Sequence, residues 1–176
     1  MLEICWLLIR LVLFSYCLEG FKVEMIPSFG PSPRIRHSAQ AVFDPDRNRI
    51  ISYGGFDMVD GVIVNEIHLF DLSSLKWSKV VSHSFISPPG LMNSYMHLRN
   101  DSKILMFFGT ISEGVSPDVF SFDLVKDIWA IETLKGDVIR GRSEFASASY
   151  QDSSNFTKIV IFGGMCDDKA SGDLFM

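Results

Sequence analysis

From His37 to Asp44 the apolar residues Ala39, Ala41 and Phe43 fall at every second position. That alternation predicts a strand with one face buried. A few residues on, RIISYGG (49–55) is a nearly continuous apolar run ending in glycine, and KILMFFG (103–109) and KIVIFGG (158–164) repeat it. Such a run suits a strand covered on both faces. IHLFDLSSLKWSKV (67–80) and VFSFDLVKDIWAIE (119–132) each predict two more strands, joined at Ser73-Ser74 or Lys126-Asp127. Asp44-Pro45-Asp46 and Asn100-Asp101-Ser102 supply turn chemistry between the first two strands of a set. No amphipathic helix interrupts these segments.

The segments recur at a fixed spacing. Phe70-Asp71-Leu72 lies over Phe122-Asp123-Leu124 and Trp77 over Trp129, both at an offset of 52. Gly55, Gly109 and Gly164 are 54 and 55 apart, and Asp173-Leu174-Phe175 repeats Asp118-Val119-Phe120 at an offset of 55. Four short strands at this period describe a β-propeller blade. A lone four-stranded sheet cannot cover its own faces, whereas sheets stacked around an axis cover one another. Phe70, Trp77, Phe122 and Trp129 are large enough to fill the wedge between neighbours. Glycine after the apolar strand permits close backbone approach and a sharp exit.

With these landmarks the chain resembles the kelch-repeat family. The family pattern has a Pro-x-x-Arg-x-x-His-Ser-like start, a Gly-Gly doublet after an apolar strand, and an aromatic residue six positions before a tryptophan. The first repeat matches through Pro31, Arg34, His37-Ser38-Ala39, Gly54-Gly55, Phe70 and Trp77. The second departs: Gly90 stands at the arginine place, Asn93 at the histidine place and Phe108 before Gly109. The third keeps Arg142 and Gly163-Gly164, with Phe145 at the histidine place. The resemblance implies an all-β fold of kelch-type blades, each a four-stranded antiparallel sheet, in an incomplete propeller. The blades span 31–81, 86–133 and 140–176, the last truncated. It implies a structural role for the repeated residues. It does not specify a function, because propellers of this kind host many.

The N-terminus admits two readings. Residues 4–18 are strongly apolar, shorter than a membrane span and interrupted by Arg10. Residues 1–10 are then a leader or signal-like segment, although Glu3 in the n-region is atypical. Alternatively LVLFSYCLEGFKVE (11–24) aligns without a gap to 67–80, placing Phe14 on Phe70 and Phe21 on Trp77. The preferred reading makes 11–25 the last two strands of a preceding blade. The expected chain is then a piece of a larger propeller, or two copies assemble into a ring. The cytoplasm is the favoured compartment unless 1–17 are a signal peptide, in which case Asn100 and Asn155 are accessible glycosylation sequons.

Composition narrows the chemistry. The 176 residues carry 16 basic and 21 acidic side chains, a net charge of −5, which argues against a nucleic-acid backbone binder. Cys5, Cys17 and Cys166 are too few and scattered for a disulfide scaffold or zinc knuckle. His37, His68, His83 and His97 form no metal-ligand pair, and no nucleophile elbow or phosphate loop occurs. No metal, cofactor or catalytic residue is therefore expected. Arg34, Arg36 and His37 form a basic cluster that could contact an anion, but hydrogen bonding to neighbouring blade backbone is the preferred role. Asp71 and Asp123 recur, so they read as turn acceptors rather than catalytic acids.

What differs between repeats is the segment between the second and third strands, 56–64, 110–117 and 165–172. Loops on a rigid scaffold usually carry binding. These hold Asp57, Asp60, Glu113, Asp167 and Asp168 against Lys169. An acidic rim of this kind would attract a basic peptide or protein. The expected function is non-catalytic protein–protein interaction, as a substrate-recruiting adaptor or scaffold. The alternatives are a fragment of a propeller enzyme acting on a sugar or small metabolite, and a secreted or membrane-tethered kelch protein.

Overall fold

The computed structural model describes residues 23–176. The leader at 1–10 and most of the half-blade expected over 11–25 lie outside the described residues; 23–25 form no strand. Every regular element among the described residues is a β-strand.

Blade 1 is a four-stranded antiparallel sheet of β1 (Gln40–Asp44), β2 (Arg49–Tyr53), β3 (Ile67–Asp71) and β4 (Lys76–Lys79), paired in that order. Blade 2 repeats it with β5 (Tyr95–Leu98), β6 (Lys103–Phe107), β7 (Val119–Asp123) and β8 (Ile128–Glu132). Blade 3 contributes β9 (Ala146–Gln151), β10 (Thr157–Phe162) and β11 (Leu174–Phe175). Alternation along each strand follows from pleating, since successive side chains point to opposite faces. β1 and β5 approach each other, which places the first strands of blades 1 and 2 at the inner side of the stack.

The core lies between blades. Ile51, Tyr53 and Ile67 of blade 1 meet Ile104, Phe122 and Trp129 of blade 2. The Tyr53 and Trp129 rings sit edge to face at 5.5 Å. The Tyr53 hydroxyl donates to the Pro89 carbonyl at 3.0 Å, so its polar tip is satisfied, and burial holds its pKa above the ordinary tyrosine value. Between blades 2 and 3, Phe107, Phe108 and Val119 pack against Ile161 and Phe145. The repeated aromatic pair is a direct cross-strand pair in both complete blades. Phe70 faces Trp77 at 4.8 Å and Phe122 faces Trp129 at 4.7 Å. Each such ring buried stabilises the stack by roughly 1.5–3 kcal/mol.

The outer edges of blades 1 and 2 are met by the segments that precede those blades. Phe29 N–H donates to Leu75 carbonyl and Trp77 N–H to Phe29 carbonyl, at 3.0 and 2.8 Å. In blade 2, His83 N–H donates to Asp127 carbonyl at 2.9 Å, and Trp129 N–H donates to Ser84 Oγ. Leu75 and Asp127 share a left-handed φ of 56° at the turn that makes this possible. A paired edge no longer offers free ladder groups to another chain.

Candidate functional site

Each connection from second to third strand folds as a short hairpin. Phe56–Asp57 pairs with Val62–Ile63, Thr110–Ile111 with Gly114–Val115, and Met165–Cys166 with Lys169–Ala170. The chain leading into each blade pairs with that hairpin. Arg36–His37 pairs with Phe56–Asp57, Met92 with Thr110 and Ser143 with Met165. Because strands run antiparallel, these hairpins and lead-in segments share one end of the stack, and the turns at 45–48 and 72–75 occupy the other.

The lead-in segments fix a register that the sequence pattern misses. Ser38, Asn93 and Glu144 hold left-handed φ values of 56°, 53° and 56°. Ser38 is therefore the equivalent of Asn93 and Glu144, and Arg36, not Arg34, is the equivalent of Arg142. The contacts agree. Arg36 donates to Gly54 carbonyl at 3.2 Å and pairs with Glu66 at 2.8 Å. Arg142 donates to Gly163 carbonyl at 2.8 Å and faces Asp173 at 3.6 Å. Arg142 is wholly buried, with its guanidinium 4.8 Å from the Phe175 ring centre. Leu91 holds this position in blade 2 and, like Arg142, is buried. His37 bonds through Nδ1 to Ser38 Oγ at 2.9 Å and stacks on Phe56 at 5.3 Å.

The five loop acids divide into two groups. Asp57 is buried, and its Oδ1 accepts the N–H groups of Val59 and Asp60 at 2.8 and 3.1 Å, closing the hairpin tip. Those backbone donors, Asp60 before Val59, and then Arg34 hold its pKa below the ordinary aspartate value. Arg34 also grips Asp60 at 2.7 Å. Asp57 and Asp60 are thus internally neutralised, and Arg34 is their counter-ion.

Glu113, Asp167 and Asp168 converge on one cleft, of about 530 Å³, between the hairpins of blades 2 and 3. Glu144 lines it too, held by Asn93 Nδ2 at 3.3 Å. No Lys or Arg lines this cleft, and none of the four acids forms an ion pair among the described residues. On the opposite flank of the same hairpin, Arg140 and Lys169 line a separate cleft with Asp167. Glu144 escapes the sequence reading because it lies in the lead-in segment; only the shared φ of Asn93 and Glu144 brings it to the rim.

Beneath the rim, Glu66 is clamped by Arg36 and Lys79. Burial pushes its carboxyl up, but the hydrogen bonds and charges of Lys79 and Arg36 outweigh this and draw it down to about 2. Asp71 and Asp123 close the third-to-fourth turns by accepting backbone N–H groups, from Ser73 and Ser74 and from Val125 and Lys126. Those bonds lower both pKa values. Asn100 and Asn155 both lie in exposed turns at the far end of the stack. No group of three metal-ligating side chains occurs among the described residues.

Comparison with known proteins agrees with the stack. A family model described as the KLHDC2/KLHL20/DRC7 Kelch-repeats domain matches residues 10–176. A curated relative from Thlaspi arvense, an N-(sulfonatooxy)prop-2-enimidothioate sulfolyase, is 24% identical over 147 residues. The match covers 84% of this chain and 40% of that relative, so the chain spans less than half the relative's length. With the repeated sheets, the Gly-Gly exits and the paired aromatics in place, this chain belongs to the kelch-repeat family.

Proposed function

We propose that this protein is a non-catalytic protein-interaction module that presents its variable hairpins as an adaptor or scaffold surface. The partner it favours carries a basic segment. The observation that carries this reading is the cleft between the second and third hairpins, where Glu113, Asp167, Asp168 and Glu144 stand together with no cation lining them among the described residues. Rigid sheets fix the spacing of these groups, so little ordering is required when a partner docks. Exposed carboxylates of one sign raise the encounter rate of a basic partner, and salt screens that attraction.

The test is binding to a fluorescent Lys/Arg-rich peptide and to an acidic peptide of equal length, measured across ionic strength. The basic peptide should bind, weakening as salt rises. Glu113→Lys with Asp167→Lys and Asp168→Lys should reduce affinity at least tenfold, whereas Asp60→Lys should change it little. Equal binding of both peptides, or an unaffected triple variant, would refute the reading. The enzyme alternative has the relative's name as its support.

A further inference from the structure

The contact between blades 1 and 2 and the contact between blades 2 and 3 differ at one level, near the turns that join first and second strands. Between blades 1 and 2 that level is filled. Met96 and Leu98 of β5 pair with Met106 and Ile104, and these side chains pack in one core with Val42 and Ile51 of blade 1. Arg47 then reaches over the gap and donates to Ser102 Oγ at 3.3 Å.

Between blades 2 and 3 the same places hold other residues. Ser147 and Ser149 of β9 pair with Ile161 and Ile159, so serines stand on the face where blade 2 has Met96 and Leu98. On the facing sheet His97, paired with Leu105, stands where blade 1 has Val42 paired with Ile51. Asn48 and Ser102 share a left-handed φ, of 47° and 61°, which puts Asp101 at the place of Arg47. Two long apolar side chains and a bridging arginine are thus lost, and packed sheets do not close over the space they leave. A cavity of about 440 Å³ lies there, within the range of small-molecule sites.

Leu105 and Ile159 supply its apolar lining, and Arg99, Asp101, Asn100, Thr157 and His97 its polar lining. Arg99 and Asp101 pair at 3.1 Å with side chains 46% and 44% exposed, so the pair is weak and each group can take a further partner. The His97 ring lies beside Tyr95 and holds no hydrogen bond among the described residues. Burial, and then the Arg99 charge, keep its pKa below the ordinary histidine value, so at neutral pH it is an uncharged donor and acceptor. The lining therefore carries one positive and one negative charge side by side. A lone carboxylate at Arg99 meets Asp101 as a like charge, and a lone ammonium at Asp101 meets Arg99. A molecule with both charges satisfies both groups.

We propose that this cavity binds a small zwitterion of the amino-acid type with a branched aliphatic side chain. Its carboxylate sits on Arg99, with Asn100 and Thr157 as further donors, its ammonium on Asp101 and its hydrocarbon body on Leu105 and Ile159. The site lies at the turn end of the stack, opposite the acidic rim, and does not rest on the peptide-binding reading.

NMR of the full chain, following the His97 ring and the Leu105 and Ile159 methyl groups, tests this with L-leucine as the probe. L-leucine should shift these signals saturably in the millimolar range, as suits so small a ligand. 4-Methylpentanoate lacks its ammonium and 3-methylbutylamine its carboxylate, so each should bind roughly tenfold more weakly or less. Ser149→Leu restores the side chain that blade 2 has at this place and should abolish the shifts. Arg99→Gln, at a half-exposed side chain, should keep the parent circular-dichroism spectrum and weaken binding roughly tenfold, and it decides the matter if Ser149→Leu disturbs the fold. No saturable shift up to about 20 mM L-leucine, equal binding of either half-probe, or parent-like binding by a folded variant would each overturn the proposal.

Discussion

Gly54 and Gly61 have nearly the same backbone conformation, with φ of +70° and +66°, in opposite surroundings. Alanine at either position pays the left-handed penalty, about 1 kcal/mol. At Gly61 that is the whole effect, since nothing lies within 4 Å of the added Cβ. At Gly54 the Cβ would meet the Leu91 carbonyl of the next blade at 2.2 Å. To reach even a tight contact the blades must separate by roughly 0.8 Å. Gly54 cannot retreat, because its N–H bonds Glu66 carbonyl and its carbonyl holds Arg36. Overpacking of this kind adds about 2 kcal/mol, for a total near 3 kcal/mol. In a chain of this size that lowers Tm by roughly 6–12 °C, against about 2–4 °C for Gly61→Ala. Thermal unfolding followed by circular dichroism, with tryptophan fluorescence reporting the blade 1–2 interface, measures both. Equal melting temperatures would refute the claim that blade 2 bears directly on the Gly54 turn.

Arg142→Leu copies the residue that blade 2 already uses at this place, but removes the buried donor to the Gly163 carbonyl; it should cost about 2 kcal/mol. Hydrogen exchange should rise at Gly163 and β11 and stay unchanged in β1–β4, whereas a uniform rise would contradict the local assignment. Glu66 has its pKa lowered from 4.5 to about 2, so its contribution is full above 4.5 and disappears as pH falls toward 2. Glu66→Gln should therefore lose at most about 3 kcal/mol at neutral pH, and its urea midpoint should converge on that of the parent chain by pH 2. A gap that persists at pH 2 would show that the Arg36 and Lys79 charges are not the cause. Phe122→Ala, at a wholly buried site, should cost about 3–5 kcal/mol and shift the emission of Trp129, its cross-strand partner.

The period was legible because burial writes it large. Each blade needs an aromatic pair in its wedge and a glycine where its second strand turns away, and Phe70–Trp77, Phe122–Trp129, Gly55, Gly109 and Gly164 survive in a single sequence. The lead-in register was not legible. Ser38, Asn93 and Glu144 share a left-handed φ but no side-chain chemistry, so the eye aligns Arg34 with Arg142 when the fold aligns Arg36. The acidic rim was half legible. Sequence locates Asp57 and Asp60 in a variable loop, but the fold is what brings Arg34 onto them. The fold likewise brings Glu144 to Glu113, Asp167 and Asp168 from a different segment.

The central claim is that successive sheets cover one another through a repeated set of bonds. Amide hydrogen exchange at Gly55 and Gly109, read by NMR, tests it most directly. Both N–H groups lie outside any strand ladder and are satisfied by the following blade, through Leu91 and Arg142 carbonyls. The account predicts slow exchange at both. Exchange of Gly55 and Gly109 at the rate of an open loop would contradict it.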